Sequence, residues 1–470
     1  FWIPAKRVVG RKSARSKPSR HSKPNPLEKG AVQAAPFFWG KLFTDARFVV
    51  AQHSANKHES VMNIFTSFIL FLFLCNLSNA EDWPSWRGAD RSGISKETGL
   101  LQEWPSGGPP KVWSSSDTGM GYSGFSVVKG GLYTMGAFGK EEQLLAFNAL
   151  TGKKVWSLVV GDLLTNGWGD GPRMTPTVAD GKVYALGGRG NLVCADARTG
   201  KKIWNISLVS DLGGKVPGWG YTESVLVDEG RVICTPGGSQ GALAALDADS
   251  GKLLWQSSAF TDDAQYSSPI VIENRGKRQY VQLVMKNLVG IDAKSGDLAW
   301  KSAWTGRTAV IPTPIHDDGK VFITSGYGVG CKLVSLDSSG SQDVYDNKFM
   351  KNHHGGVIKL GDHLFGYSDQ VGWVCMDFAS GELLWNEKKA LGKGAIAYAD
   401  NRFYCQGESD GRIFLIEANT EGWLPRGQFT LNPQSKKRNP KGKVWTHPVI
   451  SNGMMYLRDQ ELLSCYDLKR

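Results

Sequence analysis

The stretch Asp196-Ala197-Arg198-Thr199-Gly200-Lys201-Lys202-Ile203-Trp204 decides the fold of this chain. The same pattern begins again at Asp247, Asp292 and Asp377, and at Asn148 with asparagine in first place. In each copy glycine stands four residues and tryptophan eight residues after the first position. The pattern predicts a strand, a tight turn and a second strand, because the first side chain caps turn amides and glycine accepts a positive φ. Five copies in register predict a repeat fold in which each tryptophan fills the same kind of gap.

A second element consists of a short apolar strand, a polar turn and another apolar strand. Its eight copies span residues 125–133, 176–184, 224–233, 269–281, 314–322, 356–365, 396–403 and 448–456. A third strand follows each copy, and successive third strands end 40 to 51 residues apart. This period, with four short strands per unit, predicts an all-β fold: an eight-bladed β-propeller. A seven-bladed ring is the alternative.

The two ends of the repeat region complement each other. The last unit stops at residues 465–470 and leaves no residues for a fourth strand, whereas Pro110-Lys111-Val112-Trp113 precedes the first complete unit as an orphan strand. Pairing this strand with the last blade closes the ring and removes both exposed sheet edges. The sequence therefore predicts ring closure by an N-terminal strand.

Two blades depart from the pattern. In the unit that begins at Asp337, glycine comes one place early and Tyr345 stands where tryptophan is expected. The unit that begins at Glu417 has no correctly spaced glycine, and Trp423 comes early. These blades are either functional irregularities or products of sequence drift, and we favour drift.

The N-terminal region differs from the rest of the chain. Residues 1–61 are basic and rich in serine and proline, and the first methionine is Met62. We expect residues 1–61 to be a disordered extension that is not translated, although a true basic arm is the alternative. An apolar run and a small-x-Ala site predict a signal peptide over residues 62–80, and hence export to the periplasm or secretion. Cys75 as a lipid-anchoring cysteine is a further alternative. Residues 81–109 are expected to form a lead-in segment and residues 110–470 the propeller.

Charge and cysteine content limit the possible partners. The chain has 470 residues and a net charge of +11, but residues 1–61 carry 12 Lys and Arg against 3 Asp and Glu. The nearly neutral remainder gives no reason to expect nucleic acid as a partner. The apolar run after Met62 is too short to span a bilayer, and no transmembrane span is expected. The seven cysteines form no CxxC pair and stand mostly in apolar strands, which predicts buried free thiols, with disulfides as the alternative. We expect a monomer.

The Asp-x-x-Thr/Ser-Gly-x-x-x-Trp repeat resembles the tryptophan-docking motif of propellers of the pyrroloquinoline-quinone (PQQ) type, over residues 113–470. That superfamily includes quinoprotein alcohol dehydrogenases and cofactor-free binding propellers such as the BamB-type outer-membrane assembly lipoprotein. The stretch Trp83-Pro84-Ser85-Trp86-Arg87-Gly88 and the later Trp104-Pro105 also resemble exported PQQ-like proteins of planctomycete type.

Three functions follow from the resemblance as expectations. The first is a scaffold that holds an envelope protein or a carbohydrate ligand, without a cofactor. The second is a dehydrogenase of alcohols or sugars that uses PQQ with Ca²⁺; the family implies a vicinal cysteine pair and a calcium triad, and this chain has no Cys-Cys dipeptide and no triad that aligns. The third is a lyase or hydrolase of polysaccharide, which needs Asp170, Glu223 and His353 to converge. A shared fold does not choose among these three functions. We favour the scaffold and assign no catalytic residues.

The candidate site lies on one face of the predicted disc. The two stereotyped turns of each blade line one face, so the long connections reach the other, where binding usually resides. Residues just before each innermost strand, together with two glycine-flanked tryptophans, should surround the channel mouth. The predicted ligand-binding residues are Trp168, Arg173, Trp219, Tyr221, Glu223, Tyr266, Arg307, His353, His354, Lys393, Trp445 and His447.

Several of these residues, and some other motifs, also have purely structural interpretations. Trp168 and Trp219 can simply pack loop against loop. His353 and His354 are not expected to be metal ligands, because adjacent side chains on an extended segment point to opposite faces. The basic run 436–438 is expected to be a solvated loop, with an anionic partner as the alternative. The two GxSxG matches, residues 237–241 and 407–411, lie between predicted strands and are read as hairpin turns rather than nucleophile elbows.

Overall fold

A computed structural model describes residues 81–469, and within this range all regular secondary structure is β. The predicted basic extension, the signal peptide and Cys75 lie outside the described residues. Thirty-two strands form eight four-stranded antiparallel sheets, which confirms the eight-bladed propeller. None of the described residues forms a helix that is long and apolar enough to cross a membrane.

Each blade takes four strands in order from the central channel to the rim. Blades 1 to 4 contain β2 (Phe125–Val128), β3 (Gly131–Phe138), β4 (Glu141–Asn148), β5 (Lys154–Asp162); β6 (Thr177–Ala179), β7 (Lys182–Leu186), β8 (Asn191–Asp196), β9 (Lys202–Ser207); β10 (Leu226–Asp228), β11 (Arg231–Cys234), β12 (Ala244–Asp247), β13 (Leu253–Gln256); β14 (Ile270–Asn274), β15 (Lys277–Leu283), β16 (Asn287–Asp292) and β17 (Leu298–Ala303). Blades 5 to 8 contain β18 (Ile315–Asp317), β19 (Lys320–Ser325), β20 (Gly330–Asp337), β21 (Gly340–Asn347); β22 (Val357–Leu360), β23 (His363–Ser368), β24 (Gly372–Asp377), β25 (Leu383–Glu387); β26 (Gly394–Ala399), β27 (Arg402–Gly407), β28 (Arg412–Glu417), β29 (Pro425–Thr430); β30 (Val449–Ser451), β31 (Met454–Asp459), β32 (Leu462–Asp467) and β1 (Lys111–Ser115).

The ring closes as the sequence predicts. Strand β1 pairs antiparallel with β32, and Trp113 faces Cys465 across the pair. The N-terminal strand therefore supplies the outermost strand of blade 8, and the last blade has no missing member. The two GxSxG matches lie in connections between β11 and β12 and between β27 and β28, so both are turns between strands.

The repeated tryptophan joins each blade to the next. Trp204 is 8% exposed, and its indole Nε1 donates to the carbonyl oxygen of Ala248 at 3.0 Å, one residue after the turn aspartate of blade 3. The ring lies on Gly251, which has a φ of +70° and where a Cβ would stand 2.7 Å from the indole Cδ2. Glycine is thus required twice, by the backbone conformation and by the close approach of the ring. Trp113, Trp156 and Trp255 make the same hydrogen bond to the next blade.

The junctions that follow blades 4 and 5 differ from this arrangement. Tyr345 replaces tryptophan, and its hydroxyl donates to the carbonyl of Phe378 at 3.0 Å, so the phenol keeps the docking role. Trp300 instead donates to Gln279 within its own blade at 2.7 Å. The turn of the following blade, with its early glycine at Gly340, has no ring above it. Trp156, Trp255 and Trp385 are half-buried rather than fully buried, because their outer edges reach the rim of the disc.

Residues 83–95, here called the plug segment, cross the central channel. Trp83 exchanges backbone hydrogen bonds with Val127 of blade 1 at 2.7 and 2.8 Å, and the amide of Val178 in blade 2 donates to Pro84 at 2.8 Å. At its other end Ile94 bridges to Tyr398 in blade 7. These partners all lie on innermost strands, so the plug segment fills the inside of the ring. The chain then passes under blades 7 and 8 and enters β1.

The described cysteines match the expectation of free thiols. Six of them are buried and unpaired with one another: Cys194, Cys234, Cys331, Cys375, Cys405 and Cys465. They lie in strands of the blades and pack in the hydrophobic core, where they act as small apolar side chains.

Candidate functional site

The channel mouth on the long-loop face contains a cavity of about 370 Å³, here called the aromatic cavity. Most of its lining residues lie in the connections that precede the innermost strands, so the cavity lies opposite the face of stereotyped turns. Trp86 of the plug segment belongs to the lining, so the propeller's own chain forms part of the inner end. The volume falls within the range of small-molecule sites. Seven aromatic residues line it: Trp86, Tyr122, Trp168, Trp219, Tyr266, Tyr327 and Trp445.

The structure brings eight of the twelve predicted binding residues to this cavity. They are Trp168, Arg173, Trp219, Tyr266, His353, His354, Trp445 and His447.

The other four predicted residues lie elsewhere. Tyr221 and Glu223 are each 1% exposed and point into the blades, whereas Thr222 between them lines the cavity. Alternate side chains of an extended segment point in opposite directions. The prediction chose the two side chains that point away from the cavity instead of the one between them. Arg307 is exposed outside the cavity, and Lys393 lies behind its wall, 2.8 Å from Asp369.

Aromatic contacts hold the cavity walls in place. Trp219 meets Tyr266 edge to face at a centroid distance of 5.7 Å, and Trp445 packs on Tyr122 at 4.8 Å. On the plug segment, Trp86 donates from Nε1 to Thr313 at 2.9 Å and packs on His447 at 4.6 Å. Because the rings already contact one another, the cavity is preformed and binding requires little ordering of side chains.

The two adjacent histidines share one side of the cavity. Their rings stack at a centroid distance of 4.0 Å with an interplanar angle of 18°. The expectation that His353 and His354 point to opposite faces is therefore wrong, because the chain bends at residues 354–355 and is not an extended strand there. His354 also lies 3.5 Å from Glu408, which accepts a hydrogen bond from Trp445 Nε1 at 3.0 Å.

All three histidines of the cavity are neutral at physiological pH. Burial and, to a smaller extent, the nearby Lys393 ammonium lower the pKa of His353 to about 4. Burial also lowers the pKa of His354 well below its ordinary value, and that of His447 to about 3. His447 donates from Nε2 to the carbonyl of His354 at 2.6 Å, which fixes its tautomer. The ring nitrogens thus serve as neutral hydrogen-bonding groups.

Arg173 supplies the one formal charge among the lining residues, which include no Asp or Glu. Its guanidinium donates to the carbonyls of Gly169 and Gly171, each at 2.7 Å, and lies over the Tyr122 ring at 5.2 Å. Burial lowers the pKa of Arg173 from its ordinary value, but the group stays cationic at neutral pH. The cavity wall is therefore aromatic with a single positive charge.

The geometry does not fit a calcium site or a carboxylate pair for hydrolysis. Within residues 81–469 no group of three or more His, Cys, Asp or Glu side chains is arranged to hold a metal ion. Of Asp170, Glu223 and His353, only His353 lines the cavity. The side chains expected for the lyase or hydrolase thus do not converge.

Glu223 predicts a pH effect on stability. Its buried carboxylate accepts hydrogen bonds from the Thr235 amide and from Gln282, and burial raises its pKa to about 7. Since this pKa lies above the unfolded value of 4.5, ionisation on raising the pH from about 4.5 to about 7 opposes folding. Glu223→Gln should be more stable relative to the wild type at pH 8 than at pH 5, by about 2–3 kcal/mol. Urea denaturation at the two pH values measures this difference, and an equal difference at both would contradict it.

The sequence prediction missed three of the aromatic residues. Tyr327 stands in Gly326-Tyr327-Gly328, the same glycine-flanked pattern that identified Trp168 and Trp219. Applying that pattern to every connection, including the short one between β19 and β20, would have found it. Tyr122 stands just before the innermost strand β2, so its position could have identified it. Trp86 carries no such signal, because it reaches the cavity from the lead-in segment.

The chain is similar in sequence to known proteins. A family model described as outer membrane protein assembly factor BamB matches residues 140–387, more than half of the chain. The outer membrane protein assembly factor BamB of Moranella endobia (strain PCIT) is 30% identical over 239 residues, which are 47% of this chain and 58% of that protein. The chain thus spans less than two thirds of the length of this curated relative.

Two solved structures show the same architecture. BamB from Moraxella catarrhalis matches with a TM-score of 0.55 at 16% identity, over 77% of this chain and 98% of that one. Quinohemoprotein alcohol dehydrogenase from Comamonas testosteroni matches with a TM-score of 0.57 at 13% identity, over 84% of this chain and 82% of that one. At these identities the likeness shows the fold, which BamB and a dehydrogenase share. The match of the family model across the repeat region shows that this chain belongs to the family of the outer membrane protein assembly factor BamB.

Proposed function

We propose that this chain is an exported, non-catalytic binding propeller that holds a protein or carbohydrate ligand of the cell envelope on its long-loop face. The observation that carries the proposal is the preformed aromatic cavity at that face, whose lining residues include no Asp or Glu. Rigid aromatic side chains provide large contact areas at a low entropic cost, which suits binding. The predicted signal peptide over residues 62–80 supports export.

The titration behaviour of the lining also favours binding over chemistry. A general acid or base works best with a pKa near the working pH. The pKa values of His353 and His447 are lowered to about 4 and about 3, far from neutrality. Arg173 cannot release its proton at neutral pH. These lining groups therefore bind and orient a ligand but are poorly suited to transfer protons.

The matched relatives support the partner class. Their names describe factors of outer membrane protein assembly, so we place the protein partner of this chain among the proteins of that process. A monomeric propeller with one open face fits such a role, because its rim and short-turn face remain available to the surrounding assembly.

The alternative is a PQQ-dependent dehydrogenase of alcohols or sugars. The aromatic cavity with its arginine has the size and charge for a planar anionic quinone, and a quinohemoprotein shares the fold. The lack of a metal-holding cluster in the described range does not match the calcium that the resemblance implies. Stoichiometric uptake of PQQ with Ca²⁺, followed by dye-linked oxidation of alcohols, would favour this alternative.

Site-specific photocrosslinking tests the proposed function. A photoreactive phenylalanine analogue replaces Trp168, which is 46% exposed at the cavity, and in a second variant Leu150, which is 68% exposed in a stereotyped turn. After irradiation of cells, we expect adducts with an envelope assembly protein or an envelope glycan at position 168 and not at position 150. Adducts at position 150 alone would contradict binding through the long-loop face.

A further inference from the structure

The charges around the aromatic cavity are unbalanced. Arg173 in the wall is bonded to backbone carbonyls and has no carboxylate partner. Beneath the cavity, the plug segment carries two more buried arginines, Arg87 and Arg91, each 5% exposed. Neither forms a salt bridge with any residue in the described part of the chain. Neither plug arginine lines the aromatic cavity, so Arg173 is the guanidinium among its lining residues.

The plug arginines are held by main-chain groups alone. Arg91 donates to the carbonyls of Ser224 and Pro269, both at 2.9 Å. Arg87 donates from Nη2 to the carbonyls of Ser92 and Val357, and its Nη1 is buried without a hydrogen-bond partner in the described structure. Arg91 also interacts electrostatically with the buried carboxyl of Glu223, whose charge partly offsets its own.

The carboxylates that interact electrostatically with Arg173, Glu142 and Asp170, do not line the cavity. Asp369 is paired with Lys393 at 2.8 Å, so the pair is neutral overall. Glu408 lies behind His354 and Trp445, and burial raises its pKa. Arg173 is thus the one charged side chain that lines the cavity, and a partly closed cavity with apolar walls strengthens its attraction for an anion.

Hydroxyl groups are interspersed with the aromatic rings. Four short hydroxyl side chains line the cavity: Thr222, Ser268, Thr308 and Thr446. Neutral histidine nitrogens add further donors and acceptors. A ligand that combines many hydroxyl groups with flat carbon-bound faces fits this lining, because its hydroxyls pair with the polar groups while its faces lie against indole rings.

We propose that the aromatic cavity binds an acidic saccharide, with its carboxylate on Arg173 and its ring faces against the tryptophans. This inference rests on the proposed function, since it assigns the ligand class of the same cavity. Arg173 has five N–H groups, and the two that bond to Gly169 and Gly171 leave others for a carboxylate. Trp168 at the exposed rim provides a contact for a second sugar unit.

A glycan array provides the first test. The array presents uronate-containing and sialylated glycans together with neutral ones, and the probe is the purified chain. The tightest acidic glycan and its carboxyl-reduced form are then compared by calorimetric titration. We expect the acidic form to bind at least about tenfold more tightly than the reduced form, as for a lost charge-assisted hydrogen bond.

Three variants test whether Arg173 causes the preference for the acidic glycan. Arg173→Gln should lose the preference for the acidic form, whereas Arg173→Lys keeps the charge and should retain it. Lys436→Gln removes an exposed charge in the basic run 436–438 and should leave the preference unchanged. Thermal melting of each variant verifies that the fold is intact.

The outcomes separate this inference from the proposed function. Equal binding of acidic and carboxyl-reduced glycans overturns the acidic saccharide but leaves a carbohydrate-binding propeller. Absence of any glycan binding, with protein adducts at position 168, overturns the saccharide and leaves a protein-binding scaffold. Stoichiometric uptake of PQQ with turnover overturns both.

Discussion

Replacing Trp204 with alanine is expected to lower the free energy of unfolding by about 3–5 kcal/mol. The indole is 8% exposed and fills the space between blades 2 and 3, where it lies on Gly251 and packs near Tyr184 at 5.9 Å. Truncation leaves a cavity at a junction that the neighbouring sheets cannot close, since both are held in the ring. It also removes the Nε1 hydrogen bond to Ala248.

Ile203 provides a matched control on the same strand. Its side chain is 45% exposed and points to the rim, so Ile203→Ala should change stability by less than about 1 kcal/mol. Urea denaturation followed by far-ultraviolet circular dichroism measures both variants. Similar losses for Trp204→Ala and Ile203→Ala would show that the indole does not join the blades.

Replacing Arg458 with methionine is expected to lower the free energy of unfolding by about 3 kcal/mol. Arg458 lies on β31 of blade 8, is completely buried and holds blade 1 through its guanidinium. Methionine keeps much of the apolar stem but leaves buried carbonyls unpaired, at about 1–3 kcal/mol each, partly offset by the removal of a buried charge. The hydrogen-bond acceptors are the carbonyls of Thr118, Gly119, Ser123, Met135 and Gln460 and the hydroxyl of Thr134.

The expected loss of stability is localised at the junction between blades 8 and 1, where the ring closes. Hydrogen exchange should accelerate most in β2 to β5, in β30 to β32 and in β1, because these strands form the two blades that Arg458 joins. Arg189→Met is the control, since Arg189 is exposed and makes a single bond to Leu163, at 2.9 Å. A uniform acceleration in all eight blades, or a loss equal to that of the control, would contradict a role for Arg458 in closing the ring.

The architecture was largely predictable because its determinants are local and repeated. A turn cap, a positive-φ glycine and a docking ring lie together within each nine-residue motif, so each regular blade can be recognised from its own stretch of sequence. Counting the strands in each repeat unit also showed that the strand at residues 110–113 supplies the one that the last blade lacks. The fate of Trp300 was not predictable, because it depends on the turn shape of the following blade at Gly340.

The candidate site was predictable only as a region. Long connections and glycine-flanked tryptophans located the cavity. The sequence could not show which of Tyr221, Thr222 and Glu223 faces it, since the phase of the alternation depends on the path by which the loop enters the strand. The bend at His353 and His354, which stacks their rings, also depends on contacts made by the rest of the fold.

Sequence alone determined the eight-bladed ring and its closure, since spacing and turn chemistry act over short distances. Only the tertiary structure decided that residues 83–95 plug the channel and that Trp86 lines the cavity. Arg91, for example, bonds to Ser224 and Pro269, which are 133 and 178 residues away along the chain. Contacts of such separation leave no periodic trace in sequence, and they exist only once the blades have formed a ring around the segment.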